Sequence, residues 1–417
     1  MEVAQLPPAS PRAVELGSLR AVAVLGRGAK GVVFLVREAA TGRALALKAV
    51  SRATLEGKAL REEEAYRRIW FEREVLSGLR HPLLPELRGF VSTDKIFGFV
   101  VDLCPGGNLT ALRNRQSEKM FSDDTIRFYA AELVLALEHL HRQGIVYRDL
   151  KPENILIQAG GHLMVVDFDL SARLSHACPS PSGHTPPAPA RRRRSPLWWV
   201  SCKSGGRRED TADSSTEAQG TSTSSWESTG KSNSFVGTEE YVAPEIIDGK
   251  GHDFAVDWWS LGVVLYEMLY GRTPFRGKNR KETFYFILTK SPALVGEKTP
   301  LRDLIGRLLE KDPGKRISGE GIRAHEFFRG VDWESVLEIY RPPYIPAAEA
   351  DDRGGEDDES IDVEEFVHGV FGAAGAGKEK ERGEPNAAAA VAGKDGHWVE
   401  RLSSHQFSPK PAEFLVF

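Results

Sequence analysis

Residues 147–154 read Tyr147-Arg148-Asp149-Leu150-Lys151-Pro152-Glu153-Asn154, and residues 166–169 read Val166-Asp167-Phe168-Asp169. Two carboxylates, Asp149 and Asp167, flank Asn154 in the order of the chain. That set suits a Mg²⁺–triphosphate site, where one group accepts a proton and the others supply oxygen ligands. Upstream, Gly26-Arg27-Gly28-Ala29-Lys30-Gly31-Val32-Val33 is a G-x-G-x-x-G-x-V run between two expected strands. Glycines at this spacing let backbone N–H groups approach phosphates, although a tight hairpin without a ligand would use the same residues. The run precedes a strand and not a helix, which argues against a dinucleotide-binding turn. In Leu45-Ala46-Leu47-Lys48 a lysine stands mid-strand among apolar neighbours. It is costly there unless its ammonium meets an anion; the plain alternative is an edge-strand lysine reaching water.

The remaining composition narrows the class. The chain has 417 residues with 41% hydrophobic and 27% charged, ordinary for a globular protein, and its length allows two or three domains or one two-lobed domain with tails. Gly and Pro make up 64 residues, too few for a collagen-like or wholly low-complexity chain. The best apolar run, Trp258 to Tyr270, is broken by Ser260 and Glu267, so no membrane span is expected. The first residues, Met-Glu-Val-Ala-Gln-Leu-Pro-Pro, lack the basic and apolar regions of a signal peptide. Cys104, Cys178 and Cys202 show no metal-ligand spacing and are too few for a disulfide framework, pointing to a reducing compartment. The net charge of −4 says little, because the charges are segregated.

Along the chain, residues 1–18 are expected to be disordered. Leu19–Leu25, Val32–Val36, Ala44–Val50 and Phe97–Val101 read as strands. Arg61 to Gly78 reads as a helix with Tyr66, Ile69, Trp70, Val75 and Leu76 on its apolar face. Phe121 to Gln143 reads as a long helix capped by Ser122 and ended by Gly144. Short strands are expected at Ile155–Ile157 and His162–Val166, and helices at Asp257–Tyr270 and Leu301–Leu309. Strands first and helices afterwards suggest two unequal lobes. Residues 175–230 break the pattern: 29 of these 56 are Ser, Thr, Pro or Gly, too polar to fold alone. They carry the basic block Arg191–Arg194 beside Trp198-Trp199. A nuclear signal, an anionic-lipid patch and simple solvating disorder all stay open for that block, with the indoles favouring a membrane surface. Between Glu349 and Glu365 there are ten carboxylates against one arginine, then an Ala/Gly-rich stretch, and the C-terminus turns apolar at Phe414-Leu415-Val416-Phe417.

With Ala243-Pro244-Glu245 further on, the order is glycine loop, lysine, Asp149 loop, Asp167, then A-P-E. In that order the chain resembles a eukaryotic protein kinase over roughly Leu19 to Arg329. Tyr147 in place of the usual His, Lys151-Pro152-Glu153-Asn154 and Gly237-Thr238-Glu239-Glu240-Tyr241-Val242-Ala243-Pro244-Glu245 look like the AGC serine/threonine group. Asp-Phe-Asp at 167–169, with a long insertion before Ser234, is similar to the plant AGC-VIII subgroup. Residues 26–37, residues 232–241 and the terminal Phe414-x-x-Phe417 look most like the oxidative-signal-inducible kinase branch.

The resemblance implies an α+β, two-lobed fold: a small β-rich N-lobe (19–102), a larger helical C-lobe (103–329) with the insertion 175–230 disordered, and an AGC-type tail (330–417). It implies transfer of the ATP γ-phosphate to Ser/Thr hydroxyls of protein substrates, with Mg²⁺. Leu25, Gly26, Arg27, Gly28, Ala29, Lys30, Gly31 and Val33 would cover the nucleotide, and the backbone of Val101-Asp102-Leu103-Cys104 would meet adenine. Lys48 would contact the α/β phosphates and pair with Glu72, while the rival Glu74 faces solvent. Asp149 would be the base or orienting carboxylate, Lys151 would neutralise the γ-phosphate, and Asn154 and Asp167 would hold Mg²⁺. Ser234 aligns with the activation-loop phosphosite, whose phosphate Arg148 would hold. Glu245 and Arg316 look like a structural ion pair, and Asp257 like a brace for the Asp149 loop. Glu153, Glu267 and Thr238 fall in the substrate groove and imply a basic substrate, although Asn108 stands where many basophilic relatives are acidic. Phe414 and Phe417 would recruit an upstream phosphoinositide-dependent kinase acting on Ser234. A monomer in the cytoplasm or nucleus, or peripheral at the plasma membrane through Arg191–Arg194, fits this reading. A kinase-fold scaffold is the competing class, and only Arg191–Arg194 would support a nucleic-acid binder, with no recognition fold behind it.

Overall fold

In the computed structural model the described residues are 13–55, 59–174, 237–346 and 360–371. Five strands come first: β1 (Leu19–Arg27), β2 (Gly31–Glu38), β3 (Ala44–Ser51), β4 (Leu87–Ser92) and β5 (Ile96–Asp102). They form one antiparallel sheet in the order β1-β2-β3-β5-β4, with helix α1 (Ala59–Gly78) inserted between β3 and β4. The register sets Val33, Lys48 and Phe99 side by side across the sheet. Because side chains alternate faces, Val33, Ala46 and Lys48 share one face, while Val32, Phe34, Leu45, Leu47 and Ala49 share the other. Both faces are covered, which is why Val32–Val36 reads as continuously apolar and not alternating. On α1, Ile69, Val75 and Leu76 are buried, but Trp70 remains 48% exposed, at the margin of the expected face.

The chain leaves β5 through Leu103-Cys104 into the helical lobe. There α2 (Leu109–Asn114) and α3 (Asp123–Arg142) precede four short strands, β6 (Ile145–Val146), β7 (Ile155–Ile157), β8 (Leu163–Val165) and β9 (Ala172–Arg173). β6 pairs with β9 and β7 with β8. Then come α4 (Pro244–Asp248), α5 (Ala255–Tyr270), α6 (Arg280–Thr289), α7 (Pro300–Leu308) and α8 (Gly319–Arg323). Ser122 caps α3 by accepting from the Thr125 N–H, and Gly144 follows with φ of 73°, as the sequence predicts. The apolar run at 258–270 is the central helix α5, buried on all sides from Val256 to Met268. Within it the Ser260 hydroxyl donates to the Tyr241 carbonyl at 3.0 Å. No helix among the described residues is long and apolar enough to cross a membrane.

Two expectations are corrected at the ends. Residues 13–18 belong to the fold: the Val14 N–H donates to the Phe90 carbonyl at 3.0 Å, and a 3₁₀ turn spans Leu16–Ser18. Val14 and Leu16 pack on the outer face of the sheet, which gives this segment an apolar anchor. The acidic tail, where no element is expected, adds one to the fold. It contains α9 (Val363–Phe371), started by Asp362, whose carboxylate accepts from the Glu365 N–H at 2.9 Å. Val363 and Val367, one turn apart, are buried against the sheet, and Phe366 meets Phe34 edge-on at 5.6 Å. Earlier in the tail, Tyr344 lies over Gly161, where an added Cβ would meet the Tyr344 carbonyl oxygen at 1.8 Å. Residues of the tail therefore pack on both lobes. The insertion 175–230, with Arg191–Arg194, and Ser234, Phe414 and Phe417 lie outside the described residues.

Candidate active site

The site forms where the sheet faces the loops between β6 and β9. Lys48 projects from the middle of β3, and its Nζ donates to Glu72 Oε1 at 2.8 Å and Asp167 Oδ1 at 2.7 Å. Burial alone would lower its pKa; the Asp167 and Glu72 carboxylates outweigh this and hold the ammonium above its ordinary value. Burial likewise opposes ionisation of Asp167, but Lys48 overcomes it and keeps the carboxyl below its usual range. The mid-strand lysine is thus paired, not edge-exposed. Glu72 is 3% exposed, whereas Glu74 sits round the helix and pairs with Arg173 at the surface.

Asp149 is held from several directions. Its carboxylate accepts from Lys151 Nζ at 2.8 Å, Asn154 Nδ2 at 3.0 Å and the Thr238 hydroxyl at 2.7 Å. Lys151 Nζ also donates to Thr238 Oγ1 at 3.0 Å. The loop beneath is fixed by Asp257, which is fully buried. Asp257 accepts from the backbone N–H groups of Tyr147 (2.9 Å) and Arg148 (2.7 Å) and shares a hydrogen bond with His141 Nε2 at 2.7 Å. That support matters because Arg148 and Asp167 both adopt left-handed backbone, with φ of 69° and 63°. Phe168 is wholly buried against Tyr147, whose hydroxyl donates to the Val166 carbonyl. Sequence spacing gave no sign that Thr238 would close onto Asp149, since 89 residues separate them.

Asn154 is buried with its Nδ2 spent on Asp149, and its Oδ1 has no hydrogen-bond partner among the described residues. An orphaned buried carbonyl oxygen beside a carboxylate is what a hard cation requires. No cluster of three His, Cys, Asp or Glu forms a metal cage among the described residues. Mg²⁺ is commonly held by one or two carboxylates with substrate phosphates completing its shell, and Asp167 with the Asn154 Oδ1 offers oxygens of that kind.

Above these groups lies a cleft of about 650 Å³, counting space open to solvent. Of the residues named from the sequence, Leu25, Val33, Lys48, Glu72, Val101, Asp102 and Cys104 line it, joined by Ala46 and Leu156, which the motifs do not single out. The glycine run forms the β1–β2 hairpin, with the Gly28 N–H donating to the Gly31 carbonyl at 2.9 Å. Gly31 has no room for a side chain: a Cβ would meet the Ala49 carbonyl oxygen at 2.3 Å. Arg27, expected around the nucleotide, points elsewhere and lies over the Phe371 ring. The Asp102 carboxylate, of which no nucleotide contact is expected, is bound by Arg43 (3.1 Å) and Arg88 (2.9 Å). Burial, and then the charge of Asp102, push the Cys104 thiol up to about 12, so it stays protonated.

In the expected substrate groove, Glu153 accepts from the Thr110 hydroxyl at 3.1 Å. Glu267 is buried, paired with Arg113 at 2.9 Å and bonded by the Tyr241 hydroxyl, so a substrate cation would have to share it. Asn108 is the N-cap of α2, accepting from the Ala111 N–H at 2.8 Å, a structural task that an acidic residue could also perform. Arg316 grips Glu245 with both terminal nitrogens, at 2.7 and 2.9 Å.

The chain is similar to known proteins over most of its length. The protein kinase domain family matches residues 19–186 and 220–328, and the gap between the two stretches falls inside the composition break. The serine/threonine-protein kinase OXI1 of Arabidopsis thaliana is 54% identical, covering 97% of this chain and 98% of its own. The serine/threonine-protein kinase UCNL of Arabidopsis thaliana is 42% identical over 82% of this chain and 86% of its own. The serine/threonine-protein kinase AGC1-7 of the same plant is 39% identical over 80% of this chain and 65% of its own. With the fold, the paired Lys48 and the Asp149 loop in place, this chain belongs to the protein kinase family, as a serine/threonine kinase of the plant AGC group.

Proposed function

We propose that this kinase uses Mg²⁺-ATP to phosphorylate Ser or Thr in basic protein segments and is switched on at Ser234. The observation that carries the reading is the convergence of Asp149, Lys151 and the orphaned Asn154 Oδ1 facing the Lys48–Asp167 pair. The hydroxyl of the substrate attacks the γ-phosphorus as Asp149 accepts its proton, and the bond to the ADP oxygen breaks. Thr238 marks where that hydroxyl would hydrogen-bond, since its own hydroxyl already donates to Asp149. Lys151 faces the charge on the transferred phosphoryl group, and Lys48 orients the α/β phosphates. Asn154 and Asp167 would hold Mg²⁺, which when bound neutralises the phosphate oxygens. The scaffold alternative lacks support, because none of these groups is missing.

Regulation at Ser234 is supported by charge. Burial lowers the pKa of Arg148 to about 10, Asp257 opposes this, and the positive charge of Arg68 on α1 adds to the lowering. A phosphate between these guanidiniums would gain charge-assisted hydrogen bonds. For Phe414 and Phe417, the aromatic face at α1, β4 and β5 is informative. It is covered by the chain's own Trp70, with Arg73 over Phe90 and Arg52 over Phe97. This favours recruitment of an upstream phosphoinositide-dependent kinase over docking on the chain's own lobe. Arg191–Arg194 beside Trp198-Trp199 favours an anionic membrane surface.

The test is label transfer from Mg²⁺-ATP to a basic protein by the full chain pre-treated with the upstream kinase, with Asp167→Ala as control. Transfer lost in the control supports the enzyme reading, and no transfer by the treated wild type refutes it. In Phe414→Ala/Phe417→Ala, Ser234 phosphorylation by the upstream kinase should fall sharply. Equal phosphorylation would remove the recruitment role.

A further inference from the structure

Lys30, in the glycine-rich hairpin, donates from Nζ to Asp169 Oδ2 at 2.9 Å, across 139 residues of sequence. The backbone on each side is tied down. The Lys30 carbonyl accepts from the Ser51 N–H at 3.0 Å, so the side chain hangs from β3 and not from a loose loop. Asp169 stands in a turn closed by the Ser171 N–H and hydroxyl, which both donate to the Phe168 carbonyl at 3.1 and 2.6 Å. Lys48, three positions along β3 from Ser51, reaches Asp167, two residues before Asp169, at 2.7 Å. The sheet and the 167–169 segment are therefore joined by two lysine–aspartate rungs. The inner one is largely buried, with side-chain exposures of 22% and 12%, and the outer one is half open, at 43% and 27%.

The inner rung belongs to the site already described. The outer one joins the glycine-rich hairpin to the 167–169 segment, and the phosphoryl-transfer roles above leave Asp169 unassigned. We propose that Asp169 is a positioning residue that fastens the glycine-rich hairpin over the nucleotide phosphates through Lys30. The inference rests on the nucleotide reading of the cleft. Partly exposed ion pairs contribute little to stability, so the effect is sized as a few-fold in affinity. Adenine, seated against Leu25, Val33 and Leu156, should not sense it. The sign of one substitution separates a clasp from bare electrostatics. If Asp169 were only a negative charge near the phosphates, removing it would tighten ADP. If it holds the hairpin closed, removing it weakens ADP.

The experiment measures ADP and adenosine binding to the full chain in metal-free buffer, so that ligation of a cation by Asp169 plays no part. Asp169→Asn and Lys30→Gln are each expected to weaken ADP about threefold, the double variant no more than either alone. Adenosine affinity should hold, and Asp169→Glu should recover most of the ADP affinity. ADP bound as tightly or more tightly by Asp169→Asn overturns the proposal. So do additive losses in the double variant, or equal losses for adenosine. Wild-type chain that binds neither ligand would fell the nucleotide reading and the clasp together, whereas unaffected variants of a binding wild type fell the clasp alone.

Discussion

Asp257→Asn tests the link between a buried carboxylate and the geometry of the Asp149 loop. One Asp257 oxygen serves the Tyr147 N–H and His141, and the other serves the Arg148 N–H. An asparagine keeps a single acceptor oxygen, so at least one buried backbone N–H must face an NH₂ group. An orphaned buried donor costs about 1–3 kcal/mol, and loss of the carboxylate charge weakens the surviving hydrogen bonds by roughly another 1 kcal/mol. The sum is about 3 kcal/mol, which for a lobe of this size lowers Tm by roughly 6–12 °C. The same bonds hold Arg148 at φ of 69°, a conformation costing about 1–3 kcal/mol that persists only while its surroundings enforce it. Relaxation there moves Asp149, the next residue, and leaves the Lys48–Asp167 pair in place. Turnover on a basic peptide should therefore fall tenfold or more while KM for ATP changes less than threefold. Thermal denaturation and steady-state kinetics on the same preparation read both quantities. A variant within about 2 °C of wild type in Tm and within twofold in kcat would refute the argument that Asp257 sustains the strained loop.

Two further outcomes are expected. Val367→Asp buries an unpaired carboxylate between α9 and the sheet, so it should detach the tail helix, and limited proteolysis should then cut near residue 371 faster; an unchanged cleavage pattern would show that α9 adds nothing to the lobe. His252 is held neutral by burial and by Arg148, its pKa lowered to about 4 from the ordinary value of about 6.5. Its contribution to stability is therefore full above about pH 6.5 and is lost as pH falls toward 4, so His252→Gln should flatten the acid side of a Tm–pH profile. Parallel profiles for the two proteins would exclude His252 as a source of acid sensitivity.

Much of the site could be read from the chain because its residues are local. Asp149, Lys151 and Asn154 stand within six positions, and the short loop that bears them permits only a narrow set of geometries. Lys48 was legible for a different reason: a lysine in an apolar strand demands an anion, and Asp167 and Glu72 supply it. Strands β2 and β3 and helix α3 declared themselves by periodicity and caps, since each carries its own signal. What escaped depends on partners distant in sequence. Helix α9 is short and lies among carboxylates, and it is stable only because Val363, Phe366 and Val367 find a sheet face more than 300 residues upstream. The same holds for Thr238 on Asp149, for Arg27 turned toward Phe371 and for Lys30 on Asp169. Local sequence fixes backbone preference and the chemical groups on offer. Which group meets which across 89 or 139 residues is decided by packing, because only the folded lobes bring those side chains within reach.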